Sequence, residues 1–304
     1  MGAVIRYGPA GWSYKDWEGI VYPKPSPRGF DPLAYVARYF DALEIDSTFY
    51  RPAAPKVAQA WIRRVAHNPR FRFTAKLVRR FTHERESAFT RDEVKEARAG
   101  LEVLHGAGRL GAVLMQFPWS FRRTDENRAW LRDLVGAFEG LPLVLEVRHA
   151  SWDVPEVYEG LAERGVGIAN IDQPLFHDSI RPGARATSPV GYVRVHGRNY
   201  HDWFRKDAGR DARYDYLYTA EQLAPWAARI RELASSGAME ELYVVTNNHF
   251  RGKAPANALM LQAIVEGRPV EAPPPLVEAY PDVLAGLAYP SEETDLHGHP
   301  ATHQ

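Results

Sequence analysis

ALEIDS (residues 42–47) alternates apolar Leu43 and Ile45 with charged Glu44 and Asp46. That period of two is the mark of a strand with one buried face. The charged face, however, runs on into Thr48-Phe49-Tyr50, an aromatic turn. Glu44 and Asp46 therefore lie either on a wet surface or toward an interior. The answer depends on the sheet to which this strand belongs.

Further β-rich runs are VIRYG (4–8), FRFTAKL (71–77), GAVLMQF (111–117), LVLEVRH (143–149), GIANID (167–172), GYVRVHG (191–197) and ELYVVTNN (241–248). Helix-like segments separate them. DPLAYVARYF opens with an Asp cap and a first-turn Pro, and TRDEVKEARAGLEVLHGAG has Thr90 and Glu93 in capping-box spacing. TDENRAWLRDLVGAFEG, TAEQLAPWAARIRELASSG and APANALMLQAIVE (254–266) follow the same grammar. Strand–helix alternation repeated about eight times predicts a (β/α)8 TIM-like barrel, an eight-stranded parallel sheet with outer helices. An open doubly wound sheet is the runner-up, but no GxGxxG or GxxxxGK[ST] supports it. The barrel is placed at residues 1–270. Residues 271–304 form a proline-rich extension, read as an extended wrap, and a tail expected to be disordered. The tail's His297, His299 and His303 are read as unstructured rather than as a metal site.

The chain has 304 residues with zero formal charge, so no whole-protein basic field draws it to nucleic acid. It has no cysteine, which excludes disulfides and thiolate chemistry. No signal peptide or membrane span is read, and a cytoplasmic location is expected.

Sorting the strands by parity gives an apolar set and a polar one. The polar set is Arg6/Gly8, Glu44/Asp46, Thr74/Lys76, Leu114/Gln116, Glu146/Arg148, Asn170/Asp172, Arg194/His196 and Thr246/Asn248. The apolar set must pack under the helices, so the polar set is expected to face the axis. Four cations (Arg6, Lys76, Arg148, Arg194) then meet four carboxylates (Glu44, Asp46, Glu146, Asp172). Buried charges must pair or meet a ligand. Barrel enzymes keep their sites at the C-terminal mouth. Arg6 lies early on its strand and is read as structural.

The mouth loops carry Trp12 and Tyr14, Tyr50, the basic group Arg79, Arg80, His83 and Arg85, and a long loop with Arg198, Tyr200, His201, Trp203, Arg205 and Lys206. Phe49, Phe121 and Trp152 are read as closing small cores beneath the loops. Glu44, Glu146, His196 and Asp172 are the acid–base candidates, with Glu146 kept ionised by Arg148 as base and Glu44 or His196 as acid. Substrate contacts are assigned to Trp12, Tyr14, Asp46, Tyr50, Lys76, Gln116, Arg148, Arg194, Asn248 and His249. No metal site or cofactor is predicted, because Lys76, Arg148 and Arg194 compete for the carboxylates; a weakly held divalent ion could enter with a phosphorylated substrate. The partner expected is a small anionic molecule. The alternatives are single-stranded nucleic acid on the loops at 79–85 and 198–213, or a non-catalytic scaffold with a buried charge network.

GWSYKDW, EIDSTFY, FRFTAKLVRRFTHE, LGAVLMQFPWSF, LEVRHASW, YVRVHGRNY and NNHFRGKAPANAL, in that order, resemble the DUF72 (YecE-like) family from about residue 8 to residue 266. The resemblance implies a TIM-like barrel and leaves the activity unassigned. A distant likeness of that family to the xylose isomerase and endonuclease IV barrels would imply a hydrolytic or DNA-directed site. Many relatives carry Asn where this chain has Asp46.

Overall fold

The computed structural model describes residues 2–201, 205 and 214–292. Trp203, Lys206 and the three tail histidines lie outside the described residues, as does most of 202–213. Eight strands form one parallel sheet: β1 (Val4–Pro9), β2 (Ala42–Ile45), β3 (Arg72–Lys76), β4 (Leu110–Gln116), β5 (Leu143–Glu146), β6 (Gly167–Asp172), β7 (Val190–Val195) and β8 (Glu241–Thr246). Each pairs with its sequence neighbour from β2 to β8, and β8 pairs with β1. The ring closes at the β1–β2 seam through a single parallel bridge, Ala10 to Glu44. The backbones approach closely there. A Cβ on Gly8 would stand 1.8 Å from the Ala42 carbonyl oxygen, so only glycine fits.

The outer layer is α1 (Pro32–Tyr39), α2 (Pro55–Arg64), α3 (Arg91–Gly106), α4 (Asp125–Ala137), α5 (Pro155–Ala162), α6 (Ala220–Ser235) and α7 (Lys253–Glu266). The capping signals act as read. Thr90 and Glu93 close a capping box at α3, and Asp31 accepts from the Leu33 and Ala34 amides at α1. Between β6 and β7 the chain runs through 173–189 without a helix. The proline-rich segment is not simply extended. It forms β9 (Val270–Ala272), which pairs in parallel with β10 (Ala288–Pro290), and the short helix α8 (Pro274–Ala279) between them.

In-register neighbours of a parallel sheet share a face. Arg194 is in register with Ile171 and with Val245. Since Arg194 points to the axis, Ile171 and Val245 do too. Asn170, Asp172, Thr246 and Asn248 then take the outer face, which reverses the expected parity of β6 and β8. Their contacts agree. Thr246 Oγ1 donates to the Ala254 carbonyl of α7 at 2.8 Å, and Asn248 Nδ2 to Asn257 Oδ1 at 2.8 Å. The other strands keep the faces assigned to them. At the lower end of the axis Arg6 pairs with Glu241 at 3.0 Å, far from the mouth, in keeping with its structural reading.

Candidate functional site

Arg194 is the centre of the axis and is fully buried. Its Nε and Nη2 donate to the two oxygens of Glu44 at 2.9 and 2.7 Å, a bidentate pair. Its Nη1 reaches Glu146 Oε2 at 3.1 Å and Gln116 Oε1 at 3.2 Å. Glu44 also accepts from the Tyr192 hydroxyl at 2.8 Å. Glu146 receives Arg148 Nη2 at 3.0 Å and stands 3.1 Å from His196 Nε2. Burial alone would raise the Glu146 carboxyl, but Arg194, His196 and Arg148 together hold it well below the usual carboxylate range. Burial lowers His196 to about 3, and Arg194 and Arg148 push the same way against the pull of Glu146. The imidazole is therefore neutral near pH 7.

One layer higher, Lys76 Nζ lies 2.5 Å from Asp46 and 3.5 Å from Glu44. Tyr14 donates its hydroxyl to Asp46 at 3.0 Å and stacks on the His249 ring at 4.5 Å. Burial disfavours the Asp46 carboxylate, but the adjacent Lys76 ammonium outweighs it and lowers the group to about 2. Lys76 itself is raised: burial lowers it most, but the carboxylates of Asp46 and Glu44 together raise it further than burial and Arg194 depress it. A cavity of about 50 Å³ opens here, lined by Asp46, Phe49, Tyr50, Lys76, Asn247 and His249, with Tyr214 at its edge. His83 stands nearby with its ring edge-on to Phe49. Burial, and then the fields of Arg148, Arg79, Lys76 and Arg85, lower it to about 4.

The structure thus brings together Tyr14, Glu44, Asp46, Tyr50, Lys76, Gln116, Glu146, Arg148, Arg194, His196 and His249. It does not bring in the other three candidates. Trp12 packs edge-on against Trp61 of α2 at 5.8 Å. Asp172 faces outward and binds Arg198 through both oxygens, at 2.9 and 3.0 Å, and the Tyr218 hydroxyl. Asn248 is turned toward α7, and its place at the mouth is taken by Asn247, whose Nδ2 lies 3.2 Å from His196 Nδ1. Phe49 lines the cavity rather than closing a separate core, whereas Phe121 and Trp152 stack in one beneath the β4 and β5 loops. Arg79 and Arg80 pair with Glu84 and Glu93 at 2.7 and 2.6 Å, so acids of the same region neutralise half of that basic group. Among the described residues no group of three or more His, Asp or Glu is arranged to hold a metal ion. Nor is any described helix long and apolar enough to cross a membrane.

A family described as "Protein of unknown function DUF72" matches residues 6–279, nearly the whole barrel and the start of the extension. The chain belongs to the DUF72 family. Among its relatives, the UPF0759 protein YunF of Bacillus subtilis is 27% identical over 277 residues, covering 86% of this chain and 95% of YunF. The UPF0759 protein YecE of Escherichia coli K12 is 26% identical over 190 residues, 60% of this chain and 64% of YecE. The crystal structure of a DUF72 family protein from Thermotoga maritima superimposes with a TM-score of 0.73 at 30% identity, over 86% of this chain and 99% of that one. One from Enterococcus faecalis gives 0.73 at 25% identity, over 86% and 96%. The DUF72 barrel and its ordered motifs are as the sequence resemblance implied.

Asn247, Tyr192 and Tyr214 are the residues of this site that sequence reading missed. For Asn247 a signal existed, since it sits beside Asn248 and one of the pair had to face the axis. Tyr192 shares the parity of Arg194 and His196, and its hydroxyl also meets Thr74 Oγ1 at 2.9 Å.

Proposed function

We propose that the chain is an enzyme that takes a small anionic substrate, phosphorylated or sugar-like, at the C-terminal mouth of the barrel. The observation that carries this reading is Lys76, a lysine on the axis that opens on a cavity while Arg194 beneath it is enclosed. Lys76 and Arg148 would receive the anionic group. Glu44 and Arg194 would form the fixed base on which they stand. Glu146 is ionised but weakly basic while three cationic or donor groups surround it. A substrate anion that drew Arg148 away would raise its proton affinity and make it a competent base. His196, with Asn247 at its Nδ1, would hold its Nε2 proton toward Glu146. A divalent ion arriving with a phosphoryl group would meet Asp46, the one partly exposed carboxylate of the three around Lys76 and Arg194.

The test is calorimetry and thermal shift against a panel of sugar phosphates and small carboxylates. Lys76→Met should weaken any hit by about tenfold or more, and Glu146→Gln should bind it without turnover. Unchanged affinity in Lys76→Met sinks the reading. One observation favours a second reading, a non-catalytic scaffold. Every nitrogen of Arg194 already has a protein partner within 3.2 Å. On that reading no compound in the panel stabilises the protein.

A further inference from the structure

The outer face of β6 carries a site of a different kind. No helix follows β6, so coil shares the cover of its outer face with α5, and the cover is incomplete. A cavity of about 140 Å³ remains between β6 and the Ile180–Arg185 stretch, floored by Ile168 and Asn170. The stretch is pinned at both ends. Ile180 donates its amide to the Arg148 carbonyl at 2.9 Å, and Thr187 Oγ1 donates to the Val166 carbonyl at 2.7 Å. Buried Asn170 clamps it between, with Nδ2 on the Arg185 carbonyl at 3.0 Å and Oδ1 taking the Arg185 amide at 2.8 Å. Both halves of that amide are engaged, so Asn170 sets the loop and leaves ligand contact to its neighbours.

Those neighbours are two arginines on either side of Pro182-Gly183-Ala184, Arg181 and Arg185, and both line the cavity. Among the described residues neither makes an ion pair with a carboxylate. Arg185 lies over the Tyr158 ring, 4.9 Å from its centroid, which fixes the guanidinium without neutralising it. The carboxylate in the lining is Asp153, and it already accepts the Tyr158 hydroxyl at 2.5 Å. Two cations therefore face one engaged carboxylate in a preset concavity. Guanidinium pairs of this kind match tetrahedral oxyanions through planar, paired donors, and a loop fixed in advance costs little further ordering.

We infer that this cavity is a second binding site, separate from the mouth, for a phosphate-sized oxyanion held by Arg181 and Arg185. The inference does not depend on the reading of the mouth. The same chemistry would take free phosphate or the phosphoryl group of a monoester.

Equilibrium dialysis of the full chain with labelled inorganic phosphate tests it, in wild type and in a Lys76→Met background that disables the mouth. Lys76→Met should keep one bound phosphate. Adding Arg181→Ala and Arg185→Ala should weaken that phosphate by about tenfold or more, with only a small drop in melting temperature, because both residues are exposed and only the Arg185 contact with Tyr158 is lost. Arg185→Lys should retain part of the affinity. No phosphate bound by Lys76→Met, or equal binding after both alanine changes, overturns the proposal. Equal stoichiometry in wild type and Lys76→Met instead removes phosphate from the mouth and leaves the outer site standing. A parallel titration with glycerol 3-phosphate separates the two sources: tighter binding of the ester assigns the site to a monoester, tighter binding of the inorganic ion to the free anion.

Discussion

Arg194 and Lys76 are both cations set among carboxylates on one barrel axis, yet their surroundings differ. Arg194 is enclosed on all sides, with its planar fork filled by Glu44 and Glu146. Lys76 touches Asp46 closely and Glu44 at a longer distance, and its side chain keeps 12% of its exposure. The difference follows from depth and from chemistry. A guanidinium in a closed layer needs a partner for each nitrogen, whereas an ammonium one layer higher can leave a direction for a ligand. The deep cation is fully paired, and the shallow one borders an open cavity.

The largest effect that would break this contrast is Arg194→Met. It leaves Glu44 and Glu146 buried beside each other without their common cation. A loss of about 3–5 kcal/mol in urea unfolding is expected. A loss near that of an ordinary surface change would mean the network is not structural. Next is pH. The folded carboxyls of Glu146 and Asp46 lie below their unfolded values, so their stabilisation is present above about pH 4 and is lost as pH falls toward 2. His196 acts earlier. Its folded value is depressed to about 3, so only the unfolded chain gains this proton as pH drops below about 6.5. Stability should therefore start to decline near pH 6.5, by at most about 1.4 kcal/mol per unit from this group. In His196→Gln the urea midpoint should be flatter between pH 6.5 and 4.

The two neighbouring asparagines face opposite sides of β8 and should respond differently. Asn248→Ala should cost about 1–3 kcal/mol, since it removes the donor to the Tyr216 carbonyl and one of the two donors to Asn257 Oδ1. Asn247→Ala should cost less and should alter ligand affinity at the mouth instead. Equal stability losses would contradict the assignment of their faces. The smallest effect is expected for Tyr50→Ala. Its side chain is more than half exposed, and the change should stay within about 0.5 kcal/mol while still changing the cavity rim.

The barrel was legible because strand–helix alternation and capping signals agreed along the chain. The axial site was legible on strands where one parity is apolar and the other polar, as in Leu43/Ile45 against Glu44/Asp46. It failed on β8, where Leu242 and Val244 are as apolar as Tyr243 and Val245, so hydrophobicity could not orient the strand. It failed on β6 for another reason. With no helix following that strand, part of its outer face meets coil and keeps Asn170 and Asp172, which serve the loops there. Polarity marked those two as axial because the missing helix was not visible in the sequence.

The β1–β2 seam has a consequence for how the chain assembles. β1 is laddered along its length only to β8, through six in-register pairs from Val4–Glu241 to Pro9–Thr246, and holds β2 by one bridge. The first strand made is thus completed by the last. During synthesis β2 to β7 can zip together in order, while the N-terminal segment waits for residues more than two hundred positions away. That long separation makes closure the entropically costly event of folding. The barrel is finished as a necklace is, by fastening its two ends.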